Sequence, residues 1–192
     1  DWSSDVCSSD LIFPNDKGLI LNFINICLQQ RKEAAAMDYI EKAIEKDPKN
    51  CALYVVRGNV FDNQANPKSL KTGKDTTKPA NFNELMLKAE RAYLKAVECD
   101  PNSFDSNFNL GAVYNNWGNW YSQSGTPSSD NDKKAKEYWN NSILFLEKCV
   151  QLRSDDKNVV KNLIRIYRMA DKTEKATAAT AKQKAEIGRA HV

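Results

Sequence analysis

Residues 34–50, AAAMDYIEKAIEKDPKN, and residues 87–103, LKAERAYLKAVECDPNS, are two versions of one phrase. Ala36, Ile40, Ala43 and Pro48 in the first recur as Ala89, Tyr93, Ala96 and Pro101 in the second, each 53 residues on. The register extends outward from there: Gly58 falls on Gly111, Phe61 on Tyr114, Leu110 on Leu163, and Tyr114 on Tyr167. The same step carries Ala89, Tyr93 and Ala96 to Ser142, Leu146 and Cys149. Toward the two ends it shortens to 34, from Cys27 to Phe61 and from Ser142 to Ala176. An internal repeat constrains the architecture ahead of any single motif. A 34-residue unit of two helices, with 19 further residues inserted in each of the two middle copies, accounts for both steps.

The physical logic of the pattern is helix packing. Small residues at fixed places let two helices approach closely, and the aromatic fills the space beside them. Proline disfavours helix in the residue before it, so each Asp-Pro marks the end of a unit. The pattern resembles the tetratricopeptide repeat family. Copy two supplies Tyr54, Gly58, Phe61, Ala89, Tyr93, Ala96 and Pro101, and copy three supplies Leu110, Gly111 and Tyr114, then Ser142, Leu146 and Cys149. Copy one has Ile24 in place of the small residue, and copy four keeps Leu163, Tyr167 and Ala176 before fading. The resemblance spans roughly residues 17–185 and is specific for fold rather than function. It implies an all-α, right-handed α-solenoid of antiparallel helix pairs, about four units long. The function it implies is a non-catalytic protein–protein interaction scaffold or adaptor. The alternatives are an accessory repeat module of a larger protein, and a protein that self-associates through an aromatic hairpin.

Helical spacing of apolar residues predicts helices near 16–30, 33–46, 50–64, 82–99, 103–121, 131–152, 156–170 and 172–185. NPKSLKTGKDTTKPAN (66–81) and GTPSSDND (125–132) carry loop composition, and the Ser/Asp cluster of the second suits a helix cap. The third hairpin is expected to exceed the standard unit, with Trp117, Trp120, Tyr121, Tyr138 and Trp139 near its tip. Clustered aromatics on a surface mark interfaces, but the same residues also serve to pack a hairpin against itself.

The two ends have a separate character. Asp5-Val6-Cys7-Ser8-Ser9-Asp10 can be encoded as the reverse complement of codons for Ile187-Gly188-Arg189-Ala190-His191-Val192. Residues 1–11 and 186–192 therefore resemble the two strands of a sequencing adapter, and 12–185 is expected to be the repeat domain. On that reading the single histidine, His191, is not native, and localisation stays open.

Composition excludes several classes. The formal net charge is only +3, and the basic residues are spread out, so no nucleic-acid partner is expected. No stretch approaches the length of a membrane-spanning helix. Cys27, Cys51, Cys99 and Cys149 form no CxxC pair and have no credible histidine beside them, so neither metal nor cofactor is expected. Cys27 and Cys149 occupy core positions of the repeat and read as buried packing residues. Reduced thiols would favour a cytosolic setting. Without a trusted histidine, no Ser-His-Asp or Cys-His catalytic arrangement can be assembled. Thr72-Gly73-Lys74-Asp75-Thr76 lacks the earlier glycine of a phosphate loop and has Asp75 where Ser or Thr is required. Asn140-Asn141-Ser142 is a formal glycosylation sequon inside an expected helix.

The first helix of each pair is expected to face the inside of the solenoid, where a peptide or partner domain would bind. The candidate partner-binding residues are Asn25, Asn59 and Asp62, then Phe108, Asn109 and Asn115, then Asn162, Arg165 and Arg168. Leu28, Val55, Asp105, Asn158 and Lys161 lie on the same faces. Amide side chains can bond an extended peptide backbone, and the arginines can pair a carboxylate. Some members of the family hold a chaperone's C-terminal carboxylate with a Lys, Asn, Asn, Lys and Arg clamp. Asn59 and Asn109 match its asparagines, but Val55, Asn158 and Asn162 stand where its cations would be. That mode is therefore not expected. If Asn59 only lines the wall, Asn59→Ala should leave folding alone. The oligomeric state is open, with a monomer favoured.

Overall fold

The computed structural model describes residues 17–30, 32–67, 77–123, 129–154 and 156–189. Among them the regular structure is entirely helical: α1 (Lys17–Gln29), α2 (Glu33–Lys46), α3 (Cys51–Ala65), α4 (Phe82–Cys99), α5 (Phe104–Gln123), α6 (Ser129–Leu152), α7 (Lys157–Met169) and α8 (Thr173–Arg189). The chain divides into two compact units, the first ending at Cys99 and the second starting at Asp100. The expected helices match these within one or two residues, except that α8 runs four residues further. The loop-like Thr72–Thr76 motif and residues 1–11 lie outside the described residues.

In the first unit α1 packs on α2, α2 on α3 and α3 on α4. Ile24, Cys27, Ala36, Ile40, Ala43, Leu53 and Val60 form one core cluster. Small residues on α4 (Ala89, Ala92 and Ala96) are fully buried, as the repeat pattern requires. A Cβ on Gly58 would stand 2.6 Å from Tyr93 Cδ1 and 2.7 Å from Cζ, so only glycine admits this ring.

In the second unit α5 packs on α6, α6 on α7 and α7 on α8. Its core cluster includes Ala135, Trp139, Ile143, Leu146 and Cys149 from α6, Val159, Leu163, Ile166 and Tyr167 from α7, and Ala176 from α8. Glu147 ties the three helices together, accepting from the Tyr167 hydroxyl at 2.7 Å and from Lys175 Nζ at 2.8 Å. Partial burial pushes the Glu147 carboxyl up, but the bonds from Lys175 and Tyr167 outweigh that and hold it below the ordinary range.

Contacts recur in the two units at the sequence offset of 53. The Tyr54 hydroxyl donates to Pro48 O at 2.9 Å, and Asn107 Nδ2 donates to Pro101 O at 3.1 Å. Lys49 N donates to Asp47 Oδ1, and Asn102 N donates to Asp100 Oδ1. Asp-Pro therefore builds the same turn twice, with the aspartate bonding the backbone two residues on. Gly111 meets Leu146 as Gly58 meets Tyr93: an added Cβ would lie 3.0 Å from Leu146 Cγ and 3.5 Å from Ser142 O. Ser142 Oγ donates to Gly111 O at 2.7 Å and is fully buried, so the Asn140 sequon is folded into helix packing. Gly111→Leu is expected to cost about 1–3 kcal/mol through overpacking, read as a lower midpoint in thermal unfolding. An unchanged midpoint would refute the packing register.

One covalent feature overturns the expectation that the thiols are all reduced. Cys51, the first residue of α3, and Cys99, the last residue of α4, form a disulfide. Antiparallel helices bring these two ends side by side, at a Cα–Cα distance of 5.5 Å. In the second unit Phe104 stands in the place of Cys51, and the guanidinium of Arg153, one residue past the place of Cys99, lies 4.0 Å over the Phe104 ring, a noncovalent closure. Cys27 and Cys149 are free and buried, as the repeat pattern implies.

Candidate functional site

Among the candidate residues of the first unit, Asn25 is exposed on α1, beside Ile26, itself 46% exposed. Asn59 and Asp62 are both half-buried on α3 and engaged with neighbours. Asn59 Oδ1 accepts from the Tyr93 hydroxyl at 2.7 Å, and Asp62 Oδ1 accepts from Asn66 Nδ2 at 2.7 Å. Burial, and then the nearby Asp62 charge, raise the Tyr93 hydroxyl above its ordinary range, so it stays protonated and donates. Lys78 extends the chain of contacts, bonding Asn66 Oδ1 and lying 4.7 Å over the Phe82 ring. Leu28, Val60, Asn63 and Asn66 help line a pocket of about 320 Å³.

The Tyr93 bond changes the expectation for Asn59. Its side chain serves the α3–α4 packing, so Asn59→Ala should cost about 1 kcal/mol rather than nothing. Tyr93→Phe should cost a similar amount, and the double variant less than the sum. Additive losses in urea unfolding would show that the bond contributes nothing.

In the second unit Phe108 stacks on Phe104 at 6.0 Å and packs against the core cluster. Asn109 and Asn162 are half-buried on α5 and α7. Arg165 and Arg168 are exposed on α7. Arg165 Nη2 donates to Asn115 Oδ1 at 3.3 Å, which brings two of the candidates together across α5 and α7. Asp156 starts α7 by accepting from the backbone N–H groups of Asn158 and Val159 at 3.0 and 3.1 Å. That cap fixes where the polar face of α7 begins.

The aromatic hairpin is spent largely on itself. Trp117 and Trp139 are buried, 3% and 7% exposed. Tyr138 stacks at 5.5 Å on both Trp117 and Tyr121, and Trp120 meets Tyr121 edge-on at 5.0 Å. Gly118 abuts Trp139, where a Cβ would run into the indole. The indole Nε1 donates to Asn119 Oδ1 at 3.3 Å. Among the described residues no cluster of His, Cys, Asp and Glu is arranged to hold a metal, and no helix is long and apolar enough to cross a membrane.

A family model described as tetratricopeptide repeat matches residues 92–123, from the second half of α4 through the Asp-Pro turn to the end of α5. No curated protein matches the chain by sequence. Solved structures with the same fold include a human IFIT1 dimer with m7Gppp-AAAA, at 16% identity and a TM-score of 0.64. That match covers 88% of this chain and 33% of the IFIT1 chain, so the protein spans about a third of that relative. A structure titled MamA MSR-1 C2 is 16% identical over 98% of this chain and 88% of its own, with a TM-score of 0.59. The first such domain of Spaghetti (RPAP3), bound to the HSP90 peptide SRMEEVD, is 15% identical over 78% of this chain and 91% of its own, with a TM-score of 0.53. With the repeated Asp-Pro turns and glycine contacts, these likenesses show a tetratricopeptide repeat at residues 92–123 and, in the described residues, the all-α fold of paired helices found in tetratricopeptide-repeat structures.

Proposed function

We propose that this chain is a non-catalytic scaffold or adaptor that binds a peptide or partner domain on the polar faces of its first-of-pair helices. Each unit offers such a face: Asn25 on α1, and Asn109, Asn162, Arg165 and Arg168 on α5 and α7. The observation that carries the proposal is α7. It commits Val159, Leu163, Ile166 and Tyr167 to the core and leaves Arg165 and Arg168 exposed, Arg165 with a single bond to Asn115 of α5. The aromatic hairpin is the weaker candidate because its rings stack on one another. The test is affinity capture by the intact chain and by Asn109→Ala/Asn162→Ala/Arg168→Ala. A partner held by the first and lost from the second, with helical content unchanged, supports the proposal. Partners indifferent to these changes and to Asn25→Ala count against it.

A further inference from the structure

Four cations run along one side of α7: Lys157, Lys161, Arg165 and Arg168, all exposed. At about 100° per residue their spacing keeps them within an arc of about 80°, opposite the buried Val159, Leu163 and Ile166 and bordered on one side by the buried Ile164. The helix sequence KNVVKNLIRIYRM contains no acid. None of the four cations takes part in an ion pair among the described residues. Of the flanking acids among the described residues, Asp156 caps the helix backbone and Asp171 pairs with Lys136 at 2.6 Å. Arg165 bonds Asn115 of α5, but four like charges lined up without counter-ions repel one another, whereas they complement an anionic ligand.

The spacing selects the ligand. Lys157, Lys161 and Arg165, four residues apart, are separated by about 6 Å along the helix axis, and Arg168 follows Arg165 after about 4.5 Å. Side chains on one face of an extended peptide recur about every 6.6 Å. Asn162 and Asn158 flank the strip with amide groups able to bond a peptide backbone. Single-stranded nucleic acid also repeats its charge at a comparable step, but proteins that bind it add aromatic platforms for the bases. The only aromatic residue of α7, Tyr167, is buried and bonded to Glu147.

We propose that the α7 strip docks an extended acidic peptide whose carboxylates, at alternate positions, meet Lys157, Lys161, Arg165 and Arg168. This rests on the scaffold function above and specifies its ligand class; a free terminal carboxylate is not required.

The test is fluorescence anisotropy of the intact chain with a labelled peptide bearing glutamate at every second position. Binding should weaken with salt, and should fall at least about tenfold in Lys161→Glu/Arg165→Glu. Lys42→Glu/Lys46→Glu on α2 makes the same change in net charge and should leave binding in place. Circular dichroism checks the fold, and Lys161→Gln/Arg165→Gln replaces the reversal pair if that pair misfolds. Equal losses in the α2 and α7 variants, no loss in either, or tighter binding of oligothymidylate would overturn the proposal. Failure to bind the peptide in a chain that still captures a partner through Asn25 or Asn109 overturns the strip alone. Loss of both overturns the scaffold function as well.

Discussion

Trp139→Ala is expected to destabilise the protein by roughly 3–5 kcal/mol. The indole is 7% exposed and fills the space that Gly118 leaves open on α5. Its removal leaves a cavity lined by a backbone that cannot collapse into it without bending the helix, and it strips Asn119 Oδ1 of its donor. The thermal midpoint should drop by on the order of 10 °C. A second substitution makes the assignment specific. Gly118→Ala in the natural background drives a methyl group into the indole and should destabilise. In the Trp139→Ala background the same methyl group enters the vacated space, and alanine is the better helix former by about 1 kcal/mol. The sign of Gly118→Ala should therefore reverse. A double-mutant cycle with purely additive effects would show that the two residues do not meet.

Reduction of the Cys51–Cys99 bond is expected to cost the first unit about 4 kcal/mol in chain entropy, because the cross-link spans 48 residues. A dithiol reductant supplies the two electrons and two protons that convert the disulfide to a pair of thiols. The denaturation midpoint should then fall, and Cys51→Ser/Cys99→Ser should show the lowered midpoint with or without reductant. Peptide mapping after alkylation should find Cys51 and Cys99 labelled only after reduction. Cys149 should stay unlabelled while the protein is folded, since burial pushes its thiol up to about 12. A midpoint indifferent to reductant would show that the cross-link is absent or makes no contribution.

The helix pairs were legible in the sequence because each unit states its contacts twice. Ala89, Tyr93 and Ala96 gain meaning from Ser142, Leu146 and Cys149 at the same step, and the Asp-Pro turns fix where helices stop. Interactions made by one copy alone were not legible. Cys51 and Cys99 look unrelated by spacing, yet a residue opening one helix and a residue closing its antiparallel partner must be neighbours. That pairing was available once the helix ends were drawn. Asn59 was read as a wall residue from its place on α3, while the signal that turned it inward was the hydroxyl of Tyr93, which needs an acceptor when buried. The α7 strip was half visible: Lys161, Arg165 and Arg168 were marked singly, but their continuity with Lys157 became evident only when all four proved exposed along one side.

The glycine contacts of the second unit have a consequence for how this hairpin reached its length. Gly111 faces Leu146, and Gly118 faces Trp139, so one step of seven residues up α5 matches seven residues back along α6. Seven residues make nearly two whole helical turns, with a drift of only about 20°. The arm can thus grow or shrink by matched blocks, one from each strand of the hairpin, without rotating either helix away from its mate. An odd residue gained or lost on one side alone would turn every later knob out of its socket.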